Sequence, residues 1–201
     1  MIDVEDLCVT KEGNPICAVS QFRLASGQVA IAIGKNGSGK STFLRVLAGL
    51  ETSFSGRCKV HFDCRERVFV HQTPYLFRGT VWSNVMYGLR ASGAERREET
   101  VHMWMARLGI DHLSGRNVDQ LSGGERKRTA LARAFAVRAK LILLDEPFSE
   151  MDDAGAATIA EVLCHNDDTS IIFTSPSDSY HKLPIAREMR ISAPSMGAAE
   201  A

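Results

Sequence analysis

Short apolar stretches separated by polar or glycine-containing turns occupy the first 72 residues of the chain. The clearest is Val29–Ile33, in which every residue is apolar. Such a run is typical of a strand that is covered on both faces of a sheet. Gly13, Asn14 and Pro15 indicate a turn upstream of it. The strands predicted in this part of the chain are residues 2–9, 16–25, 29–33, 57–64 and 67–71.

A helical pattern follows the third of these strands. Apolar residues recur there at the three- and four-residue spacing of an amphipathic helix. We therefore predict a helix over residues 41–50 that packs beneath the sheet. Its expected buried face consists of Phe43, Leu44, Val46, Leu47 and Leu50.

After Gln72 the pattern changes from strand-like to helical. Residues 80–90 and 94–108 are predicted to be helices, and strand-like runs resume at Leu141 and again at Ser170. The pattern therefore predicts an α/β fold in which a helical insertion, residues 73–121, separates two groups of strands.

The segment Gly34–Thr42 lies between the all-apolar strand and its helix. It fits the pattern G-x-x-x-x-G-K-[ST], the phosphate-binding loop of nucleoside-triphosphate enzymes, and a strand before and a helix after are the context that this loop requires. Its glycines let backbone N–H groups approach phosphates, and the helix directs its positive end at the same anion. The residues predicted to bind the nucleotide are Gly34, Lys35, Asn36, Gly37, Ser38, Gly39, Lys40, Ser41 and Thr42.

Individual side chains of this loop have distinct predicted roles. Lys40 would reach the β- and γ-phosphates, Ser41 would hold Mg²⁺, and Thr42 adds a hydroxyl near the α- and β-phosphates. About a hundred residues later, an apolar strand ends at Asp145 and Glu146. We expect Asp145 to serve the Mg²⁺ region and Glu146 to orient and deprotonate the attacking water beside the γ-phosphate.

Composition and charge narrow the class of protein. The chain has 201 residues, 44% of them hydrophobic and 24% charged, which are ordinary values for a compact domain. The net charge is zero, which argues against a polybasic nucleic-acid or membrane binder. No apolar run approaches the length of a membrane span, and the first six residues do not resemble a signal peptide. We therefore expect a cytosolic chain.

The cysteines do not indicate a disulfide framework. The five of them are scattered without a C-x-x-C pair, which favours reduced thiols. Cys58, His61 and Cys64 are the one group that suggests a metal. If residues 57–64 form a strand, its alternation places the two thiols on one face and the imidazole on the other, which argues against a shared metal.

A second glycine-rich motif, Leu121-Ser-Gly-Gly-Glu125, precedes a predicted helix that runs to about Arg138. Its backbone N–H groups at a helix N-terminus predict another anion site, formed by Ser122, Gly123, Gly124 and Glu125. The motif resembles the Leu-Ser-Gly-Gly-Gln/Glu signature of the ATP-binding-cassette (ABC) family. With the phosphate loop and the acidic strand end in the same order, the resemblance covers nearly the whole chain.

Three basic residues follow the signature: Arg126, Lys127 and Arg128. In isolation they would suggest contact with nucleic acid. Because Leu131 and Phe135 occupy the core-facing spacing of the same helix, we expect the bases to face solvent. With a net charge of zero, no nucleic-acid partner is expected.

The resemblance implies one ABC ATPase domain over residues 1–201. Its fold would be a P-loop NTPase: a RecA-like α/β core with a mixed sheet (residues 1–72 and 139–191) and a helical subdomain with the signature helix (residues 73–138). Gln72 matches the glutamine that joins the two parts and contacts Mg²⁺ and water. Asp152 lies in a segment that resembles the loop through which the two cassettes of a dimer communicate in this family.

The same resemblance implies partners and cofactors. Two cassettes stack head to tail in this family, so the signature of one subunit closes on the phosphate loop of the other. The cofactors would be ATP and Mg²⁺. The partners would be a transmembrane permease and a second cassette, identical or different. The chain would then lie on the cytoplasmic face of the inner or plasma membrane.

Two positions depart from the family pattern. The aromatic residue that usually stacks on adenine is replaced by Lys11 and Glu12. The histidine that usually contacts the γ-phosphate is replaced by Ser175, which can donate a hydrogen bond but carries no charge. We expect Ser175 to take the place of the histidine and hydrolysis to be slow.

The function expected from these motifs is ATP hydrolysis that powers a small prokaryotic importer. The segment Pro74–Leu89 resembles the corresponding region of inorganic-ion importers, including the tungstate and molybdate type. The alternatives are a soluble ABC ATPase of DNA repair or translation, and a catalytically weak regulatory cassette. The long coiled coil or second cassette of the soluble proteins is not seen in this sequence.

Overall fold

The computed structural model describes residues 1–91, 98–165, 168–176, 183 and 187–191. The strands in this part of the chain are β1 (Ile2–Lys11), β2 (Asn14–Leu24), β3 (Val29–Ile33), β4 (Ser55–Val60), β5 (Arg67–Val70), β6 (Leu141–Leu144), β7 (Ser170–Ser175) and β8 (Arg187–Arg190). The α-helices are α1 (Lys40–Ala48), α2 (Val81–Ala91), α3 (Glu98–Arg107), α4 (Gly123–Ala136) and α5 (Asp153–Cys164). Single 3-10 turns cover Cys64–Glu66, Asp111–Leu113 and Val118–Gln120.

The strands form two sheets, each with a uniform type of pairing. The smaller is antiparallel, in the order β2-β1-β4. The larger is parallel, in the order β5-β6-β7-β3-β8. Because the strands of the larger sheet run in the same direction, the segments after β3, β5, β6 and β7 emerge at one edge. Ligands of open α/β sheets bind at such carboxyl ends.

Two apolar cores lie on opposite faces of the parallel sheet. Alternation along β3 sends Ile31 and Ile33 into the core shared with α2 to α5, and Ala30 and Ala32 into the core shared with α1 and the antiparallel sheet. A strand that is covered on both faces favours apolar residues on both, which explains the continuous run Val29–Ile33. Within the described residues, no helix combines the length and apolar character that a bilayer span requires.

Within the helical subdomain (residues 73–138), the helices α2, α3 and α4 pack against one another. Gly88 lies where α2 crosses α4, and a side-chain carbon at this position would come within 2.4 Å of the carbonyl oxygen of Arg133. The glycine thus permits close contact of the two helices. Trp104 stacks on Phe135 with their ring centroids 4.8 Å apart. The predicted start of the second helix at residue 94 falls in residues 92–97, outside the described residues.

The first hairpin turns earlier than predicted. Glu12 and Gly13 both have positive φ, 50° and 79°, and Asn14 already belongs to β2. Two such residues in succession give a tight turn that matches the twist of the flanking strands. The prediction of a turn at residues 13–15 is therefore displaced by about one residue.

The predicted helix 41–50 is also corrected at its end. Gly49 adopts the left-handed conformation at φ 77°, and the N–H of Leu50 donates to the carbonyl of Arg45 at 2.8 Å. This closes α1 at Ala48, as a glycine after the last helical turn commonly does. Leu50 lies beyond the helix and is 57% exposed, so its predicted place in the buried face is wrong.

The strand predicted over residues 57–64 is shorter than expected. β4 ends at Val60, and a capping box between Asp63 and Glu66 begins a 3-10 turn that contains Cys64. The argument that Cys58 and Cys64 share a strand face therefore does not apply. Even so, no group of three or more His, Cys, Asp or Glu residues positioned for a metal ion occurs among the described residues.

Candidate functional site

The phosphate loop lies between the end of β3 and the start of α1. At Gly34, a side-chain carbon would come within 2.2 Å of the carbonyl oxygen of Ile191 and 2.4 Å of Ser38 Oγ. At Gly39, which has φ 94° and caps α1, it would come within 2.3 Å of the carbonyl oxygen of Ile16. The chain is therefore restricted to glycine at both positions, because the loop is packed tightly on its inner side.

The N-terminus of α1 is suited to an anion. No side chain caps it, and no acidic residue occurs in its first turn. Its free N–H groups and the positive end of the helix dipole therefore remain available to a phosphate group. A cavity of about 320 Å³ opens here, lined by Ile16, Asn36, Gly37, Gly39, Lys40, Ser41, Thr42, Gln72 and Glu146. These residues fit the phosphates of a nucleoside triphosphate.

Lys40 is the principal cation of this cavity, and its side chain is buried, with 4% of its surface exposed. Its ammonium group donates hydrogen bonds to the carbonyls of Gly34 at 2.8 Å and Lys35 at 3.1 Å. It also lies 3.6 Å from Glu146 Oε1. The loop thus curls around its own lysine, and the positive charge is positioned between the loop and the proposed general base.

Glu146 is held by residues from two other parts of the sheet edge, one at its carboxylate and one at its backbone. The amide of Gln72, just after β5, donates to Glu146 Oε2 at 2.9 Å. The backbone N–H of Glu146 donates to Thr174 Oγ1 on β7 at 2.8 Å. Glu146 has φ 45°, a conformation that costs a non-glycine residue about 1–3 kcal/mol and is kept only where the surroundings impose it.

Residues that could bind Mg²⁺ lie at the same edge. Ser41 and Gln72 both line the cavity. Asp145 is buried, and its Oδ1 accepts a hydrogen bond from Thr174 Oγ1 at 2.8 Å. Hydroxyl, amide and carboxylate oxygens are the ligands that Mg²⁺ prefers, so the residues present fit this ion.

Ser175 is the last residue of β7 and is buried beside the phosphate loop. It is paired with Ile33, and its carbonyl oxygen accepts a hydrogen bond from the N–H of Gly34 at 3.3 Å. The structure therefore places Ser175 next to the first glycine of the loop. It does not line the cavity around Lys40 and Ser41.

The signature residues form the N-terminus of α4. Ser122 Oγ accepts a hydrogen bond from the N–H of Glu125 at 3.3 Å, and Glu125 Oε2 accepts one from the N–H of Ser122 at 2.8 Å. The hydrogen bond from the Ser122 backbone is the main reason that the pKa of Glu125 is lowered. Gly123 lies close to Glu150, and Gly124 to Met151. Of the described residues that line the phosphate cavity, none belongs to this signature.

Asp152 caps the next helix. Its side chain accepts a hydrogen bond from the N–H of Gly155 at 2.8 Å, and it begins α5. This is an ordinary N-cap contact within one chain. The role of Asp152 across a dimer stays a prediction.

Several residues of the site were not found from the sequence. Ile16 contributes an apolar side chain to the cavity, whereas Lys11 and Glu12 lie at the hairpin turn and are exposed. Thr174 connects Asp145 to Glu146, although a threonine in an apolar strand carries no obvious signal. Its position just before Ser175, the residue that departs from the family pattern, is the only hint that the sequence offers.

The prediction that the basic residues of α4 all face solvent is wrong for Lys127. Its exposed fraction is 2%, and its ammonium group donates to the carbonyls of Glu146 at 3.2 Å and Ser149 at 2.9 Å. Burial lowers the pKa of Lys127, and the carboxylates of Glu150, Glu146 and Asp145 act in the opposite direction. The helix turns this residue inward because the acidic strand end supplies carbonyl acceptors there.

Comparison with known proteins identifies the family. Residues 18–149 match the model of the ABC transporter family. The chain is 41% identical over 168 residues to the sulfate/thiosulfate import ATP-binding protein CysA of Pseudomonas syringae pv. tomato, an alignment that covers 75% of this chain and 52% of that protein. It is 33% identical over 169 residues to the tungstate uptake system ATP-binding protein TupC of Peptoclostridium acidaminophilum, covering 81% and 79%.

The aligned part of the chain spans about half the length of the sulfate/thiosulfate relatives. Among solved structures, it resembles a chain from a structure described as an inward-facing conformation of a metal-chelate type ABC transporter. The TM-score is 0.79 at 26% sequence identity, with 96% of this chain and 79% of that chain covered. The predicted α/β fold with a P-loop NTPase core is confirmed. The chain belongs to the ABC transporter family.

Proposed function

We propose that this chain is the ATP-binding and ATP-hydrolysing subunit of a membrane importer. The observation that carries the proposal is the cavity shared by Lys40, Ser41, Gln72 and Glu146. These residues would supply a phosphate cradle, two ligands for Mg²⁺ and a general base. ATP-binding proteins of this family are ATPases, and the two relatives described above are importer subunits.

The chemistry proposed for the site follows from these contacts. The phosphate loop would bind the β- and γ-phosphates through its N–H groups and Lys40, with Ser41, Gln72 and Asp145 holding Mg²⁺, which neutralises phosphate charge. Glu146 would accept a proton from the attacking water. Gln72 would orient this carboxylate, because its amide donates to the same group.

The assembly is proposed on the same basis. The signature at the start of α4 presents N–H groups at a helix N-terminus, a second anion site. Since it does not line the phosphate cavity of its own chain, we propose that Ser122, Gly123, Gly124 and Glu125 act on a nucleotide bound by a second cassette. Asp152 would lie near the interface between the two.

A transmembrane permease is the second proposed partner, and an exposed aromatic cluster offers a surface for it. Tyr75, Phe77 and Tyr87 form the cluster, with neighbouring ring centroids 5.4 Å and 4.3 Å apart. Tyr75 is 71% exposed and Tyr87 is 50% exposed. Tyr75 and Phe77 follow Gln72 by three and five residues, so a partner bound there would lie close to the residue that contacts Glu146. The chain would then be peripheral on the cytoplasmic face of the membrane.

The substrate is proposed only as an inorganic ion. This chain matches ATP-binding proteins of sulfate/thiosulfate import and of tungstate uptake. The sulfate/thiosulfate proteins are the more numerous of these relatives. The specific hypothesis of tungstate or molybdate rests on the resemblance of Pro74–Leu89 and on one tungstate relative.

ATP binding and steady-state hydrolysis, measured with Mg²⁺ on the purified chain, test the function. Lys40→Ala should abolish binding or turnover because it removes the buried cation of the phosphate loop. Lys59→Ala, at an exposed lysine of β4, is the matched control and should behave like wild type. Equal ATPase activity in the Lys40→Ala variant and wild type would overturn the assignment of the site.

A further inference from the structure

Lys127 is the buried cation of α4 and contacts the loop that carries the proposed general base. All three of its ammonium donors are satisfied: by the carbonyl of Glu146, the carbonyl of Ser149 and the hydroxyl of Ser149. Neighbouring Arg126 lies on the same helix but donates instead to the carbonyl of Val118 in the helical subdomain. Lys127 is thus directed at the acidic loop, defined here as residues 145–149.

These contacts fix the backbone of Glu146. Its carbonyl oxygen accepts from Lys127 Nζ, from Ser149 Oγ at 3.0 Å and from the N–H of Ser149 at 3.1 Å. On the other side, its N–H donates to Thr174. A strained positive φ persists where the surroundings impose it, and Lys127 supplies the charged contact at the carbonyl of Glu146.

The position of Lys127 along α4 adds a second element. It follows the capping box of Ser122 and Glu125 by less than one helical turn. The signature and the acidic loop are therefore joined by one rigid helix and one buried ammonium group. A shift of α4 relative to the acidic loop must move the backbone of Glu146 or break this contact.

We propose that Lys127 is a positioning residue for ATP hydrolysis: it holds the backbone of Glu146 so that the carboxylate points into the phosphate cavity, and it ties this carboxylate to the signature helix. The proposal rests on the proposed ATPase function. Lys127 does not line the phosphate cavity and acts on it through the backbone carbonyl of Glu146. Its effect is therefore expected on turnover and not on nucleotide binding.

The test compares Lys127→Met with Arg126→Met. Methionine keeps the length of the side chain but removes every donor, so Glu146 is expected to lose its position. The Lys127→Met variant should bind Mg²⁺-ATP with unchanged affinity and lose between about tenfold and a hundredfold in kcat, the range in which a small misplacement of a reacting group acts. Arg126→Met should retain kcat, because Arg126 does not contact the acidic loop.

Ser149→Ala keeps the assay informative if Lys127→Met does not fold, a condition that a thermal melt reveals. It removes only the hydroxyl between Lys127 and the Glu146 carbonyl, and should lower kcat in the same direction by a smaller factor. Where both variants fold, the double variant should lose little more than Lys127→Met alone, because both act on the same carbonyl.

Three results are decisive. A wild-type kcat retained in Lys127→Met, or in Ser149→Ala when the former does not fold, overturns the inference. If kcat falls only in proportion to the number of ATP-binding sites lost, the role of Lys127 is structural, and the inference is overturned as well. Wild-type chain without any ATPase activity overturns the proposed function itself, so the two failures are distinguishable.

Discussion

The side-chain amide of Gln72 donates a hydrogen bond to the carboxylate of Glu146 at 2.9 Å, although the two residues lie 74 positions apart in the chain. Gln72 follows β5 and Glu146 follows β6, and these strands are neighbours in the parallel sheet. The contact joins the segment that enters the helical subdomain to the proposed general base.

Removing this contact should slow hydrolysis. In Gln72→Ala, the carboxylate loses this donor and keeps the more distant contact with Lys40, so we expect kcat to fall about tenfold, the effect of one lost hydrogen bond to a charged group. ATP affinity should change little, because the lysine of the phosphate loop stays in place. Steady-state kinetics that resolve kcat from KM measure this. A rise in KM with unchanged kcat would contradict the proposed orienting role.

The second prediction concerns assembly. Glu146→Gln removes the proposed base but leaves the phosphate loop intact, so ATP should bind and remain unhydrolysed. If the signature acts on the nucleotide of a second cassette, this variant should accumulate as an ATP-bound dimer in size-exclusion chromatography. A monomer at high protein concentration, with ATP bound, would argue against self-pairing and favour a different cassette as the partner.

The third prediction concerns Ser175. The ATPase turnover of wild type and of Ser175 variants distinguishes an active subunit from a weak regulatory cassette. A histidine at the end of β7 could donate to the γ-phosphate and share the charge of the transition state, and such a contact contributes about 10²–10³ in kcat. We expect weak basal turnover in wild type and a gain in Ser175→His, measured at saturating Mg²⁺-ATP, but no gain in Ser175→Ala. A histidine variant that is no faster would mean that other groups supply the contact or that dimer opening limits turnover.

Cys17 should resist chemical modification. Burial, with a smaller contribution from Cys8, raises its pKa from 9.0 to about 11, and it lies beside Gly39 of the phosphate loop. At pH 8, about 0.1% of this thiol is ionised, so exposed Cys64 should react with iodoacetamide first. Peptide mapping by mass spectrometry measures both rates, and equal labelling would contradict the burial of Cys17.

The same pKa shift affects stability at high pH. Above pH 9.0 the thiol ionises in the unfolded chain but not yet in the folded one, so its contribution to the free energy of unfolding decreases as the pH rises toward 11. Denaturant titrations of wild type and Cys17→Ser at pH 8 and pH 10 should therefore show the larger pH-dependent loss in wild type. An identical loss in both proteins would exclude Cys17 as its source.

Arg67 gives a prediction about stability. Its guanidinium group donates to the carbonyls of Leu47, Val60 and Phe62, which joins the end of α1 to the chain around β4. Arg67→Ala leaves these acceptors without their charged donor and should lower the free energy of unfolding by about 2–3 kcal/mol. Denaturant titration measures the loss, with Arg65→Ala, at an exposed neighbour, as the control. A loss of similar size in the control would contradict this role of Arg67.

The sequence alone determined the phosphate loop and the strand before it. Gly34 to Thr42 are contiguous, and their chemistry depends on a local turn and a helix start, so residue types at fixed spacing are sufficient. The strand β3 was equally predictable, because both of its faces are covered by a core and all five of its residues are apolar. The ends of elements were less accurate: Gly49 ended α1 before Leu50, since one left-handed glycine overrides an apolar spacing.

Only the tertiary structure decided how distant segments meet. Gln72, Glu146 and Thr174 lie at the ends of three different strands. Periodicity predicts that these strands exist, but it does not predict which of them are neighbours in the sheet. The order β5-β6-β7-β3 brings the three residues together. Lys127 shows most clearly what the sequence could not predict. A basic residue on an amphipathic helix is expected to face solvent unless buried acceptors surround it. Those acceptors belong to residues 146–149, some twenty positions away, and become its neighbours only when α4 packs against the end of β6.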